Sequence, residues 1–72
     1  VARNHDYRSE IALWEATVKL SPNKARAHNN LGHAYQLAGQ LADARREYTS
    51  ALHLDPTHIR ARYNLERLNS LE

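Results

Sequence analysis

The chain has no cysteine among its 72 residues, so no disulfide staples it and zinc sites built on thiolates are excluded. Methionine is also missing and the first residue is Val1, which points to a segment of a longer protein. Glycine and proline number two each, enough for only two or three breaks between long helices. No apolar run approaches the ~18 residues that span a bilayer, and no signal-peptide pattern is present. Charge of one sign is scarce: ten Lys and Arg stand against eight Asp and Glu, a net charge of +2 that hardly points to a partner. What remains is 42% apolar and 25% charged, the composition of a globular piece and not of a disordered one. At this length one small core is expected, and folding buries only roughly 60% of the unfolded surface.

Internal repetition is the strongest feature. A shift of 34 residues lays Pro22 on Pro56, Leu20 on Leu54, Trp14 on Tyr48 and Val18 on Leu52. Arg26 then falls on Arg60, Ala27 on Ala61, Asn30 on Asn64, Leu31 on Leu65 and Leu37 on Leu71. Aromatic meets aromatic and aliphatic meets aliphatic, the signature of a stacked repeat.

The breakers cut the chain into four helical stretches. Residues 7–20 form the first, ended at Ser21-Pro22 because a residue before proline is pushed out of the α region. Asn23 is expected to cap a second over 24–38, closed by Gly39 in a left-handed conformation. A third covers 41–54 and stops at Asp55-Pro56; Thr57 then repeats the role of Asn23 before a fourth over 58–71. Ala27, Leu31, Ala34, Tyr35 and Ala38 share one stripe, as do Leu41, Ala44, Tyr48, Ala51 and Leu52. Short loops make neighbours antiparallel, so the expected fold is all-α, two helical hairpins stacked side by side. Gly32 and Ala44 are placed to let the second and third helices approach closely.

The stretch "NNLGHAYQLAGQLADARREYTSALHLDP" resembles the tetratricopeptide repeat (TPR) family through Leu31, Gly32, Tyr35, Ala44, Tyr48, Ala51 and Pro56. His28 stands where that family usually has tryptophan. The resemblance implies a single domain: a half repeat over 7–24, a complete repeat over 25–58 and a capping helix over 59–72. Glu10 occupies the place of Ala44 in the leading half repeat, while Glu66 and Asn69 replace Gly32 and Tyr35 in the last helix. The last helix is therefore expected to face solvent. In the first, Tyr7, Ile11, Trp14 and Val18 lie on one stripe and Leu13 and Leu20 on another, too much for one partner helix to cover. Either the arm over residues 1–6 folds across part of it, or the stripe Tyr7, Ile11, Trp14 and Val18 is a surface for self-association.

The resemblance also implies that the first helix of each hairpin lines a concave groove, here residues 24–38 and 58–71. Lys24, Arg26, Arg60, Arg62 and Arg67 oppose only Glu66 there, whereas charges on the other two helices cancel. A basic groove attracts acidic segments, and arginine grips a carboxylate with two hydrogen bonds. Asn30 and Asn64, one repeat apart, each offer a donor and an acceptor to a peptide backbone, like the asparagine ladder of other TPR superhelices. Asn29, His33, Gln36, Tyr63 and Arg67 are expected on the same face, with Leu37 and Tyr63 supplying apolar contact. The expected partner is thus a protein or an extended peptide.

Other chemistry finds little support. Among the five histidines, His28 and His33 face different ways on a helix, and His53 and His58 straddle a turn with only Asp55 nearby. No His-Glu-x-x-His, phosphate loop or Gly-x-Ser-x-Gly occurs, so neither an enzyme nor a bound cofactor or metal is expected. The sequence pI of 9.3 allows nucleic acid, but acidic residues interleave the basic ones and no such motif is present. A second resemblance, through Arg3-Asn4, Ser9-Glu10, Leu13-Trp14 and Ser21-Pro22, is to the C-terminal repeats of multi-pass membrane glycosyltransferases of the O-mannosyltransferase type. It implies an arm that recruits substrate or partner, with no membrane insertion of its own.

Overall fold

A computed structural model describes residues 5–70 of the chain. They form four helices: α1 (Arg8–Leu20), α2 (Ala25–Leu37), α3 (Leu41–Leu54) and α4 (Ile59–Ser70). The proline-containing connections are built alike. In the first, the Lys24 N–H donates to Ser21 O at 3.2 Å; in the second, the His58 N–H donates to Asp55 O at 3.0 Å. Each closes a turn with proline at its second position, where a fixed φ is favourable.

The helix starts differ from the expectation. Asn23 does not cap α2: the residue before that helix is the extended Lys24, with no side-chain cap bond. Nor does Thr57 cap α4. Its hydroxyl and its N–H both donate to Asp55 Oδ1, at 2.7 and 3.1 Å, which tightens the turn and holds the Asp55 carboxyl below its usual pKa. The cap comes from His58, whose Nδ1 accepts the Ala61 N–H at 3.2 Å. Both proline turns add one residue beyond the expected cap, so the position next to the helix falls one place later.

Gly39 ends α2 as expected, with φ of 81°. The Gly39 N–H donates to Gln36 O and the Gln40 N–H to Tyr35 O, the two bonds of a Schellman close. α2 then lies against α3 at close range. A Cβ on Gly32 would stand 2.8 Å from two ring carbons of Tyr48 and 3.2 Å from Ala44 O. Tyr48 is wholly buried, and its hydroxyl donates to Gln36 Oε1 at 2.6 Å.

The core runs through Ile11, Leu31, Ala34, Tyr35, Ala44, Tyr48 and Leu68, with Tyr7, Trp14, Val18, Leu41 and Leu65 packed around it. α1 packs on α2, α2 on α3 and α3 on α4; α4 also touches α2, but α1 meets neither α3 nor α4. The molecule measures 39 × 30 × 16 Å. The shortest extent holds little more than one helix with its side chains, about 10–12 Å across, so this is an open stack of hairpins and not a closed four-helix bundle. Glu66 and Asn69 on α4 are exposed.

α2 covers part of the stripe expected to self-associate. Ile11 belongs to the core, while Tyr7, Trp14 and Val18 are packed against it and only partly buried. The apolar side chains left open on α1 are Leu13, 59% exposed, and Leu20, 85% exposed. Of the arm expected over residues 1–6, Asp6 accepts from the Arg8 backbone and guanidinium, and His5 bonds Glu10 at 3.1 Å with its ring 4.3 Å from that of Tyr7. Residues 1–4, including Arg3-Asn4, and Leu71 with its pairing to Leu37 lie outside the described residues.

Candidate functional site

Stacking α4 beside α2 creates a concave face between these two helices. Its N-terminal end is a hollow of about 400 Å³ walled by Arg26, Asn30, Thr57, His58, Ile59 and Arg60. A second hollow of about 310 Å³ continues it along the helices, walled by Asn30, His33, Arg60, Tyr63 and Asn64. Arg26 and Arg60 sit at equivalent places in the first turns of α2 and α4, and the 34-residue period brings them to one rim. Neither guanidinium has a hydrogen-bond or ion-pair partner among the described residues. Two unpaired cations over an open, polar-floored trough attract negative charge without first having to break an internal bond.

The asparagines are not equivalent. Asn29, expected on the groove surface, is instead buried, with 4% of its surface exposed; it forms the floor of both hollows. Its Oδ1 accepts from Asn64 Nδ2 at 3.1 Å, a bond that ties α2 to α4. Asn64 thus helps hold the stack together, while Asn30 has no side-chain partner among the described residues. The cause is stacking, which brings Asn64 of α4 over Asn29.

The remaining site residues divide. His33 lines the second hollow and Tyr63 its far wall. Leu37 lies further along α2, in a small hollow next to α1. Arg67 walls none of these hollows; its guanidinium stands 5.7 Å from the centre of the Tyr63 ring, where the negative face of the aromatic attracts it. Arg62 donates to Pro56 O at 3.0 Å and is likewise outside the trough. Thr57, His58 and Ile59 were missed by sequence reasoning, although their place just before and at the start of a groove helix marks them out.

His28, at the position where tryptophan is usual, faces away from the trough into the α2–α3 contact. Its Nε2 donates to Pro22 O and its Nδ1 meets Glu47 Oε1, both at 2.8 Å. His33 and His53 are exposed, and no group of three metal-ligating side chains occurs among the described residues. No helix among the described residues is long and apolar enough to cross a membrane.

Known proteins contain stretches similar to this sequence. The protein O-mannosyl-transferase TMTC3 of Mus musculus is 34% identical over 65 residues, which is 90% of this chain and 7% of that protein. The peroxisomal targeting signal receptor of Saccharomyces cerevisiae is 33% identical over 60 residues, 83% of this chain and 10% of the receptor. The TPR repeat-containing thioredoxin TTL4 of Arabidopsis thaliana is 30% identical over 66 residues, 92% of this chain and again 10% of the relative. The chain therefore spans a tenth or less of the length of these relatives. The tetratricopeptide repeat model matches residues 25–58, the span that contains α2 and α3. By that match and by their helical hairpin, residues 25–58 belong to the tetratricopeptide repeat family, whose fold serves protein–protein interaction.

Proposed function

We propose that this chain captures an extended, acidic peptide segment in the trough between α2 and α4. The observation that carries this reading is the pair Arg26 and Arg60, unpaired at one rim above a floor of asparagine amides. Asn30 offers its amide to the peptide backbone and Asn64 offers what its bond to Asn29 leaves free. Arg26 and Arg60 hold carboxylates, and Tyr63 gives an apolar wall. The peroxisomal targeting signal receptor, named for binding a targeting signal, supports a peptide as the ligand of such repeats. With only two groove helices, isolated affinity is weak. No catalytic step is assigned to these residues.

The test is a fluorescence-anisotropy titration of labelled acidic and neutral extended peptides. Arg26→Gln and Arg60→Gln together should abolish the preference for the acidic peptide, and Asn30→Ala should weaken both, with helicity unchanged. Asn64→Ala is a poor probe, because it leaves the buried Asn29 without its donor. Equal binding of acidic and neutral peptides by the unaltered chain would remove the basic trough from the proposal.

Similarity to an O-mannosyl-transferase supports a setting for this capture. In it the repeats are the recruiting arm of a larger membrane glycosyltransferase, delivering a partner to chemistry done elsewhere in the protein. Self-association is the rival role, and it would use what α2 leaves open of Tyr7, Trp14 and Val18.

A further inference from the structure

The α1 end of the concave face adds a requirement to the ligand, and this inference rests on the peptide-capture reading above. A third hollow, of about 120 Å³, is walled by Tyr7, Glu10, Trp14, Ala34 and Leu37 and joins the trough through Asn30 and His33. Two aromatic rings and an aliphatic side chain make it unlike the cationic rim at the other end. The period explains why it is open. Glu10 and Trp14 hold the places that Ala44 and Tyr48 hold in α3, against which Gly32 of α2 packs. Among the described residues no helix covers α1 as α2 covers α3. Where α3 offers a methyl group, α1 offers the Glu10 carboxylate, bonded to His5 at 3.1 Å. That carboxylate stands in place of the small side chain that lets α2 lie close against α3, and the hollow it borders shares Asn30 and His33 with the trough.

We infer that this hollow seats a large apolar side chain of the peptide held in the trough, so that the module selects segments carrying both a carboxylate and an aliphatic or aromatic anchor. The helix sets their separation. From Arg26 to Ala34 is eight residues of α2, about 12 Å, which an extended peptide crosses in about four residues.

Trp14 is the single tryptophan of the chain, so its emission reports on the hollow directly. The probe is a blocked peptide with two aspartates and, four residues on, a leucine; its order-reversed counterpart; and both with alanine in place of leucine. Anisotropy and Trp14 emission are measured on the 72-residue chain and on Leu37→Asn, a change at an exposed side chain whose effect on helicity circular dichroism checks. In one of the two orders, leucine should tighten binding about tenfold over alanine and shift Trp14 emission to the blue. Leu37→Asn should remove most of that preference. If leucine and alanine peptides bind alike while Trp14 stays silent, the hollow is no subsite but the acidic trough stands. If no acidic peptide binds, both readings fall together. A blue shift that grows with protein concentration and needs no peptide would place a second copy in the hollow and overturn the inference.

Discussion

Gly32 and His28 show how much a single side chain decides here. A methyl group on Gly32 meets the Tyr48 ring at 2.8 Å, and that ring is wholly buried and cannot retreat. Helix propensity would favour alanine over glycine by about 1 kcal/mol, but overpacking costs about 1–3 kcal/mol. Gly32→Ala should therefore destabilise the fold by up to about 2 kcal/mol in a urea titration, against the intrinsic preference. The need for a small residue was legible in the sequence from its pairing with Ala44. The role of His28 was not. Nothing local shows that Pro22 O and Glu47 converge on its two nitrogens, because Glu47 lies 19 residues away on another helix. His28→Ala removes the nearer of the two partners of the Glu47 carboxylate, whose side chain is only 11% exposed, and leaves it Arg46 at 3.6 Å. It should cost about 2–3 kcal/mol, and Glu47→Gln in the same background should recover part of it.

At the scale of the helix, ends were harder to place than middles. α3 has the bounds expected from its sequence; α1 and α4 begin one residue later than expected, and α2 is one residue shorter at each end. The apolar stripe and the prolines set where a helix can exist, but the cap depends on which side chain the turn aims at the free N–H groups. Asn23 and Thr57 are the better capping types, yet the proline turns carry them away from the helix. His58 takes the duty for α4 by accepting the Ala61 N–H at Nδ1. His58→Ala should cost about 1 kcal/mol and speed amide exchange at Ala61, while His58→Asp should restore protection. Gly39 obeys the sequence rule because its φ of 81° follows from the local Schellman geometry alone. Gly39→Ala should cost about 1 kcal/mol in thermal unfolding.

Across the whole molecule, tyrosines hold the layers together. The Tyr35 hydroxyl donates to Glu15 Oε2 at 2.6 Å, tying α2 to α1, and Tyr48 ties α3 to α2. Burial, with the Glu15 carboxylate adding to it, pushes the Tyr35 pKa to about 12, and burial alone takes Tyr48 to about 12, against 10.0 for a free tyrosine. Above pH 10 the unfolded chain gives up these protons while the folded one keeps them. Stability is thus fully present below pH 10 and falls as pH rises toward 12. Denaturant titrations at rising pH should show this loss, and Tyr48→Phe should lessen its slope. Trp14 packs against the same layers, so Trp14→Glu should lower stability; a change of oligomeric state with stability intact would support the self-association reading.

The sequence by itself determined four helices, their two proline turns, the glycine close and the 34-residue period that sets equivalent side chains on equivalent faces. These rest on short-range sterics and on apolar spacing, both written along the chain. Only the tertiary structure decided that Asn29 is buried, that Asn64 braces it, that Arg67 leans on Tyr63 and that Tyr7 and Trp14 wall a hollow. Each depends on how far one repeat is rotated against the next, a quantity set by packing among residues distant in sequence.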